Sequence, residues 1–534
     1  MSTTSVPAAG EVERDPKSKR TLHLIIAALM LTMLMSSLGQ MIFSTALPTI
    51  VGELGGVNHM SWVITAFLLG MTIALPIFGK LGDQIGRKEL FIAAIIMFIV
   101  GSVLGALAPN MGMLIAARAI QGVAGGAIQI TSQAITAEVT TPRERGKYMG
   151  IMGSVFGVSS VAGPVLGGWF TDGPGWRWGL WFNVPLGLIA IIAIALLLKL
   201  PQRERKFQAD WMGTMTMALS TASLVLFVTW GGNEYEWGDP LILGLIAAFV
   251  VFAVLFVLIE LKAKDPIIPM TLFKNRNFVL TTLVGLGIGV FMFGALAYLP
   301  TYLQMVYGMS PTAAGLMMIP MMIGLMGTSI AVGNLISRSG KYKWYPMVGM
   351  VITGIGLILL SLQTTETSLV TVGLYFFIFG FGLGCAMQVI VLIVQTSFPL
   401  SMVGTATGAN NFFRQVGGTL GSALVGGMFI SNLSSKLPEN LEPALASMGP
   451  DAAPYVEQFS SAEGSNSLTP ALIETLPEVL QNAIQVAYND SLTPVFLLLC
   501  PLAFIAAALL LGIKEGKLSD KIESLSSPEP EVAK

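Results

Sequence analysis

The stretch GKLGDQIGRK at 79–88 sets Asp83, Arg87 and Lys88 among Gly79, Gly82 and Gly86, between two apolar runs. Glycines there let helix ends approach closely, and Gly86 permits a turn with positive φ. Asp83 can cap a helix end or accept from a donor on a neighbouring helix. Glu138 closes another apolar run, ahead of TPRERGK at 141–147, and an acid in that position calls for a cation, with Arg87 as the partner. Two further arginines, Arg118 and Arg414, fall inside apolar runs and have to face a polar interior or reach toward an interface. Either can be a hydrogen-bonded helix clamp, and Arg118, with Gln121 and Gly122 one turn on, is also a candidate for lowering the pKa of an acid beside it. Gln40, Gln129, Gln133, Gln388, Asn410 and Asn411 are uncharged polar groups that would avoid lipid and line a central cavity. Tyr298 and Phe412 are candidates to stack on aromatic cargo, and Arg414 is a further candidate for the cavity. The chemistry these residues offer is charge pairing, proton exchange and binding in a polar cavity.

Something must hold them in lipid. Of 534 residues 54% are hydrophobic and 11% charged, well under the charged share of a soluble domain. A spanning helix needs about 20 apolar residues, and fourteen segments qualify: 22–50, 61–79, 89–108, 111–138, 147–170, 178–199, 211–230, 240–261, 278–303, 311–336, 344–362, 369–397, 402–431 and 492–513. The first is too long for a signal-peptide core. Placing both termini in the cytoplasm puts all but four of the 29 Lys and Arg in cytoplasmic segments; Arg177 and Lys436 fall outside, Arg118 and Arg414 within spans. Adding or dropping one span destroys that sorting. The outer loops are acidic, through 432–490 and Glu234, Glu236 and Asp239. Cys385 and Cys500 lie in apolar runs and form no disulfide framework.

The chain repeats itself. ALPTI at 46–50 is echoed by YLPTY at 298–302, and Gly79-x-Leu81 with Gly86-Arg87-Lys88 by Gly333-x-Leu335 with Gly340-Lys341, at nearly equal offsets. The expected organisation is a cytoplasmic tail (1–20), a six-helix bundle (21–200), a two-helix insert (201–265), a second six-helix bundle (266–515) and a tail (516–534). Residues 432–490 form an outer segment, polar and Pro-rich at first. Leu472, Leu476, Val479, Leu480 and Ile484 then recur at helical spacing, with Glu474 and Glu478 opposed to much of that face, which predicts an amphipathic outer helix available to a partner or lipid, or a packed surface loop.

The stretch at 79–88 resembles the loop signature of the major facilitator superfamily, G-x-L-(A/G)-D-x-x-G-R-(K/R), at every fixed position. The resemblance implies that Asp83, Arg87 and Glu138 form a charge relay holding the outward-open state. Arg118, Gln121 and Gly122 resemble the R-x-x-Q-G of the fourth span, associated with proton transfer. Gly157 begins a small-residue stretch in which Gly163, Pro164, Gly167 and Gly168 resemble the antiporter signature G-P-x-x-G-G of the drug-exporting branches. WRWGLWFNVPLG at 176–187 resembles the start of the sixth span of the fourteen-span drug:proton antiporters. One departure stands out: Gly39 occupies the place where that branch carries an acid in its first span. Proton coupling then falls to Glu138 or a rim acid such as Glu53 or Asp172.

The expectation is an all-α integral membrane protein of the major facilitator fold, two six-helix bundles plus a two-helix insert, in a bacterial plasma membrane. Its function would be proton-coupled multidrug efflux of hydrophobic or amphiphilic, also cationic, compounds. Methionines such as Met30, Met33, Met35, Met317, Met318, Met321 and Met322 would offer cargo a polarizable surface. Two alternatives are export of lipids or lipid-linked precursors, and a membrane sensor or scaffold that transports nothing. No metal-ligand cluster, catalytic triad or phosphate-binding loop appears, so no enzyme, cofactor or nucleic-acid partner is expected.

Overall fold

A chain crossing lipid has to satisfy its own backbone hydrogen bonds, and each apolar segment here does so as a helix. The computed structural model describes residues 16–55, 60–200, 210–232, 235–452, 455, 472–473 and 475–521. The end segments 1–15 and 522–534, the linker 201–209, Glu234, Glu474, most of 453–471 and the Asp172 side chain lie outside the described residues.

Fourteen described helices are long and apolar enough to span. They are α1 (Pro16–Leu54, of which Lys19–Phe43 is the apolar crossing), α2 (Met60–Ile85), α3 (Arg87–Ala106), α4 (Met111–Val139), α5 (Pro142–Asp172), α6 (Arg177–Leu197) and α7 (Trp211–Trp230). There follow α8 (Pro240–Glu260), α9 (Arg276–Tyr307), α10 (Pro311–Ser339), α11 (Trp344–Ser361), α12 (Leu369–Thr396), α13 (Val403–Met448) and α14 (Glu478–Leu511). Local chemistry sets several ends. Asn110 caps α4 by accepting from Met113 N, and Thr141 and Glu144 form a reciprocal capping box on α5. Gly86 takes φ 108° in the sharp turn between α2 and α3.

Helices α1–α6 pack on one another, as do α9–α14, and two seams join the groups: α2 against α13 and α5 against α10. Glycines make both seams possible. A methyl group on Gly79 would lie 2.5 Å from the Gly404 carbonyl oxygen, and one on Gly333 would strike the Gly146 carbonyl. Gly79 and Gly333 are the matched glycines of the sequence repeat, so the repeat is expressed as a pseudo-twofold pair of backbone contacts. Helices α7 and α8 pair with each other, and α7 leans on α2 and α13. Only 6% of the α8 apolar window is buried, against 83% for α12, so α8 faces lipid and α12 forms the heart of the second bundle.

The outer segment differs from expectation. Residues 432–448 continue α13 as one 46-residue helix, through Pro438 and Pro443. At about 1.5 Å per residue that is roughly 70 Å, more than twice the hydrocarbon thickness. Residues 478–490 are likewise no separate amphipathic helix but the first turns of α14. Packing overrides the proline penalty: Leu437, Leu441 and Ala444 are buried in one cluster with Leu476, Leu480 and Ile484, and Asn432 Nδ2 donates to Ser491 O. Val479, predicted on the apolar face, is 46% exposed.

At the end of the molecule away from the basic loops, Glu53 beyond the α1 crossing accepts from Trp176 Nε1 (2.6 Å) and from Arg177, whose guanidinium lies 4.4 Å from the Trp176 ring centroid. The Trp176 hydrogen bond, then Arg177, hold the Glu53 carboxyl below its usual 4.5. A depressed native pKa gives stability that is complete above pH 4.5 and lost as the pH falls through the lower native value. Because the pair is half-exposed, its worth is under about 1 kcal/mol. Glu53→Gln should lower the apparent melting temperature slightly at pH 7, and the gap to the parent should close as the pH drops below 4.5; a gap unchanged over that range contradicts the assignment.

Candidate functional site

Helix α13 begins at Val403, and Met402 before it offers its first N–H groups no side-chain acceptor. Asp83, from the end of α2, supplies it instead. Its Oδ2 accepts from Thr405 N (2.7 Å) and Thr405 Oγ1 (2.9 Å), and its Oδ1 from Gly404 N (3.2 Å). A carboxylate at a helix N-terminus satisfies orphan donors and opposes the helix dipole, and here it does so across the two bundles. Arg87, 1% exposed, shares that carboxylate at 2.8 Å and reaches Glu138 Oε2 at 2.8 Å, Ala134 O at 2.9 Å and Leu400 O at 2.8 Å. The structure therefore brings Asp83, Arg87 and Glu138 into one buried cluster, with Gly79 at the close approach to Gly404, Gly82 in ordinary contact with Arg87 and Leu90, and Gly86 in the turn. Lys88 stands apart: its Nζ donates to Ala195 O at the end of α6.

Around this clasp the basic end is closed. Gln395 Nε2 donates to Gln133 O (3.2 Å), Asn411 Nδ2 to Gln133 Oε1 (2.7 Å), and Arg145, fully buried, to Ala137 O (2.7 Å) and Gln395 O (3.5 Å). Arg143 donates to Ser337 O (2.8 Å) and pairs with Asp520 (3.0 Å), while Lys80 and Gln84 hold Asp265, just beyond α8. Arg145, Gln395, Thr405 and Asp265 were not singled out in the sequence. Arg145 reads there as one more basic loop residue, and only its capping-box surroundings hint that it begins a helix. Buried Glu260 was missed as well; it ends α8 and accepts from Ile267 N and Ile268 N.

Beyond the clasp a cavity opens between the bundles, lined from α1, α2, α4 and α5 on one side and α9, α12 and α13 on the other. Gln40, Gln129, Gln133, Gln388 and Arg414 line it, joined by Gln415, Ser36 and Ser37, and by Met33, Met71, Met152, Met292, Met387, Phe156 and Phe293. The space open to the centre of a water molecule is about 80 Å³, room for several waters, so that a larger ligand is admitted only as the bundles part. Four cavity candidates are placed elsewhere. Asn410 donates to Thr282 inside the second bundle, Asn411 belongs to the closed end, Tyr298 packs on Phe429, and Phe412 packs on Phe413. Of the methionines predicted to line it only Met33 does; Met35, Met318, Met321 and Met322 are core, and Met30 and Met317 pack against core.

Arg118 is a clamp in this structure. It donates to Gly39 O (2.9 Å), Gln121 Oε1 (3.0 Å) and Val63 O (3.4 Å), and its guanidinium lies 4.3 Å from the ring centroids of both Phe43 and Phe67. Gly39, in place of the first-span acid, thus contributes a carbonyl, and two aromatic faces supply the rest of the charge compensation. Gln121 extends the network to Ser102, which also receives Asn183. On α5, Gly157 packs against Met326 of α10 and Gly163 against Met41 of α1, while Gly168 meets open space and Pro164 is accommodated within a continuous helix.

Breaking one partner of a buried ion pair costs about 3–5 kcal/mol, because the remaining charge is stranded. With Thr407, fully buried and with an unpartnered hydroxyl, replaced by a reporter cysteine in a background lacking Cys385 and Cys500, Asp83→Asn should speed maleimide labelling at least about tenfold. A labelling rate equal to the parent's would show that closure does not depend on the clasp.

The model of the Major Facilitator Superfamily matches residues 29–422. An uncharacterized MFS-type transporter of Mycobacterium tuberculosis is 38% identical over 97% of this chain and 73% of its own length. The multidrug transporter protein MdtP of Bacillus subtilis is 34% identical over 95% of each. Among solved structures, the proton:xylose symporter XylE superposes with a TM-score of 0.58 at 13% identity, covering 92% of this chain and 96% of that one, a likeness of fold alone. By its helices, its paired bundles and these matches, the chain belongs to the major facilitator superfamily and is a multi-pass membrane transporter, not an enzyme.

Proposed function

We propose that this transporter is a proton-coupled exporter of hydrophobic and amphiphilic compounds, of multidrug type, whose basic end and termini face the cytoplasm of a bacterial cell. The observation that carries the reading is a polar, methionine-rich cavity between two bundles, shut at the basic end by a buried charge clasp. Export by alternating access needs such a cavity to be exposed to one side at a time. The concentration of Lys and Arg at the clasped end favours a cytoplasmic placement, and the name of the Bacillus subtilis relative favours drug-like cargo. Resistance to antimicrobial compounds would follow from such export.

The coupling carboxylates of this reading are Asp83 and Glu138, the buried acids at the bundle interface among the described residues. Protonating either removes a negative charge from Arg87, loosens the hold on α13 and Leu400, and frees the basic end to open. Arg118 then serves to hold α1, α2 and α4 together rather than to move protons.

Proteoliposomes loaded with the neutral dye Nile red, under an imposed pH gradient, test this. Transport should require the gradient, vanish when it is collapsed, and fall at least about tenfold in Glu138→Gln, the effect of losing a positioned proton-transfer group. Transport indifferent to the gradient would refute proton coupling, and an inert parent protein would refute export.

A further inference from the structure

Among the described residues four arginines are almost wholly withdrawn from solvent, and three are compensated. Arg87 has two carboxylates, Arg118 has carbonyls and aromatic faces, and Arg145 has carbonyls. Arg414 is the exception. It is 7% exposed, it lines the central cavity, and among the described residues neither hydrogen bond nor ion pair reaches its guanidinium. Among the described residues no Asp or Glu lines that cavity. An uncompensated cation in such a place is costly unless a ligand or water completes it. Beside it, the amides of Gln129 and Gln388 each hold an oxygen with no donor. The cavity therefore offers one positive fork, two vacant acceptors and an apolar wall that includes Met292 and Phe293.

We infer that the cargo of this site is an amphiphilic organic anion, a carboxylate on an apolar body, which Arg414 holds by paired N–H donors. Gln129 and Gln388 accept from hydroxyl or amide groups on the same molecule. The inference deepens the export reading and rests on it for the word cargo. It also reverses the expectation of cationic compounds, since the cavity has no acid to receive them. A planar guanidinium matches a carboxylate in two parallel hydrogen bonds, and charge-assisted bonds of this kind are about twice as strong as neutral ones. A phosphate of a lipid headgroup shares that chemistry, so the source has to be tested as well.

The purified full chain in phosphatidylcholine nanodiscs, corrected for empty discs, should be titrated with pyrenebutyrate, its neutral amide and the corresponding pyrenyl amine. The parent should bind the carboxylate about tenfold or more tightly than the amide, and the amine most weakly. Arg414→Lys should keep a preference for the anion, and Arg414→Gln should bring the carboxylate-to-amide ratio close to one. A parent that binds all three alike, or prefers the amine, overturns the inference whatever the variants do, as does an undiminished ratio in Arg414→Gln. In discs containing phosphatidylglycerol, unchanged carboxylate affinity supports a soluble cargo; competitive loss of it that depends on Arg414 assigns the site to lipid phosphate and overturns the cargo claim. The Nile red assay is read separately: carboxylate binding without dye transport removes export and leaves the anion site standing, and dye transport without carboxylate preference does the reverse.

Discussion

The arrangement depends on a carboxylate that serves two helices at once. Asp83 ends α2 and caps α13, and the same oxygens neutralise Arg87. A helix beginning in a low-dielectric interior needs acceptors for its first N–H groups, and a buried guanidinium needs negative charge. One side chain meets both needs, so neither bundle can move at this end without stranding the other's polar groups. The closed end is thus held by one shared set of charges and helix-terminal donors rather than by apolar packing alone.

The two seams show how an approximate symmetry can be put to unequal use. Gly79 meets Gly404 on one, and Gly333 meets Gly146 on the other. The repeat thus supplies two smooth tracks of close backbone contact. The charge is not repeated: Ser337, at the position matching Asp83, contributes only a carbonyl to Arg143, and α5 is capped by its own Thr141. One seam carries the clasp and the other carries packing and a surface arginine pair.

Much of this was legible in the sequence, for physical reasons. Lipid forces helices, so the number of spans follows from apolar length and from the sorting of basic residues. A charge in an apolar run needs a partner, so the pairing of Arg87 with Glu138 could be named in advance. Helical rotation was harder. Asn410 and Arg414 lie four residues apart on one face of α13, yet the first bonds Thr282 within its own bundle and the second lines the cavity, a difference that residue spacing does not carry. The segment after residue 431 misled through its prolines, whose local cost is outweighed by the burial of Leu437 and Leu441 against α14. Phe43 and Phe67, whose faces meet the Arg118 guanidinium, carried no signal, since aromatic residues are ordinary in a span.

The two-helix insert makes the two flanks of the bundle interface unlike. Helix α7 lies over the seam between α2 and α13, with α8 outside it, while the seam between α5 and α10 has no such covering among the described residues. A compound dissolved in the lipid therefore meets two unlike flanks: one walled off by an extra pair of helices, the other bare. The two additional crossings thus screen one seam from lipid and leave the other facing it.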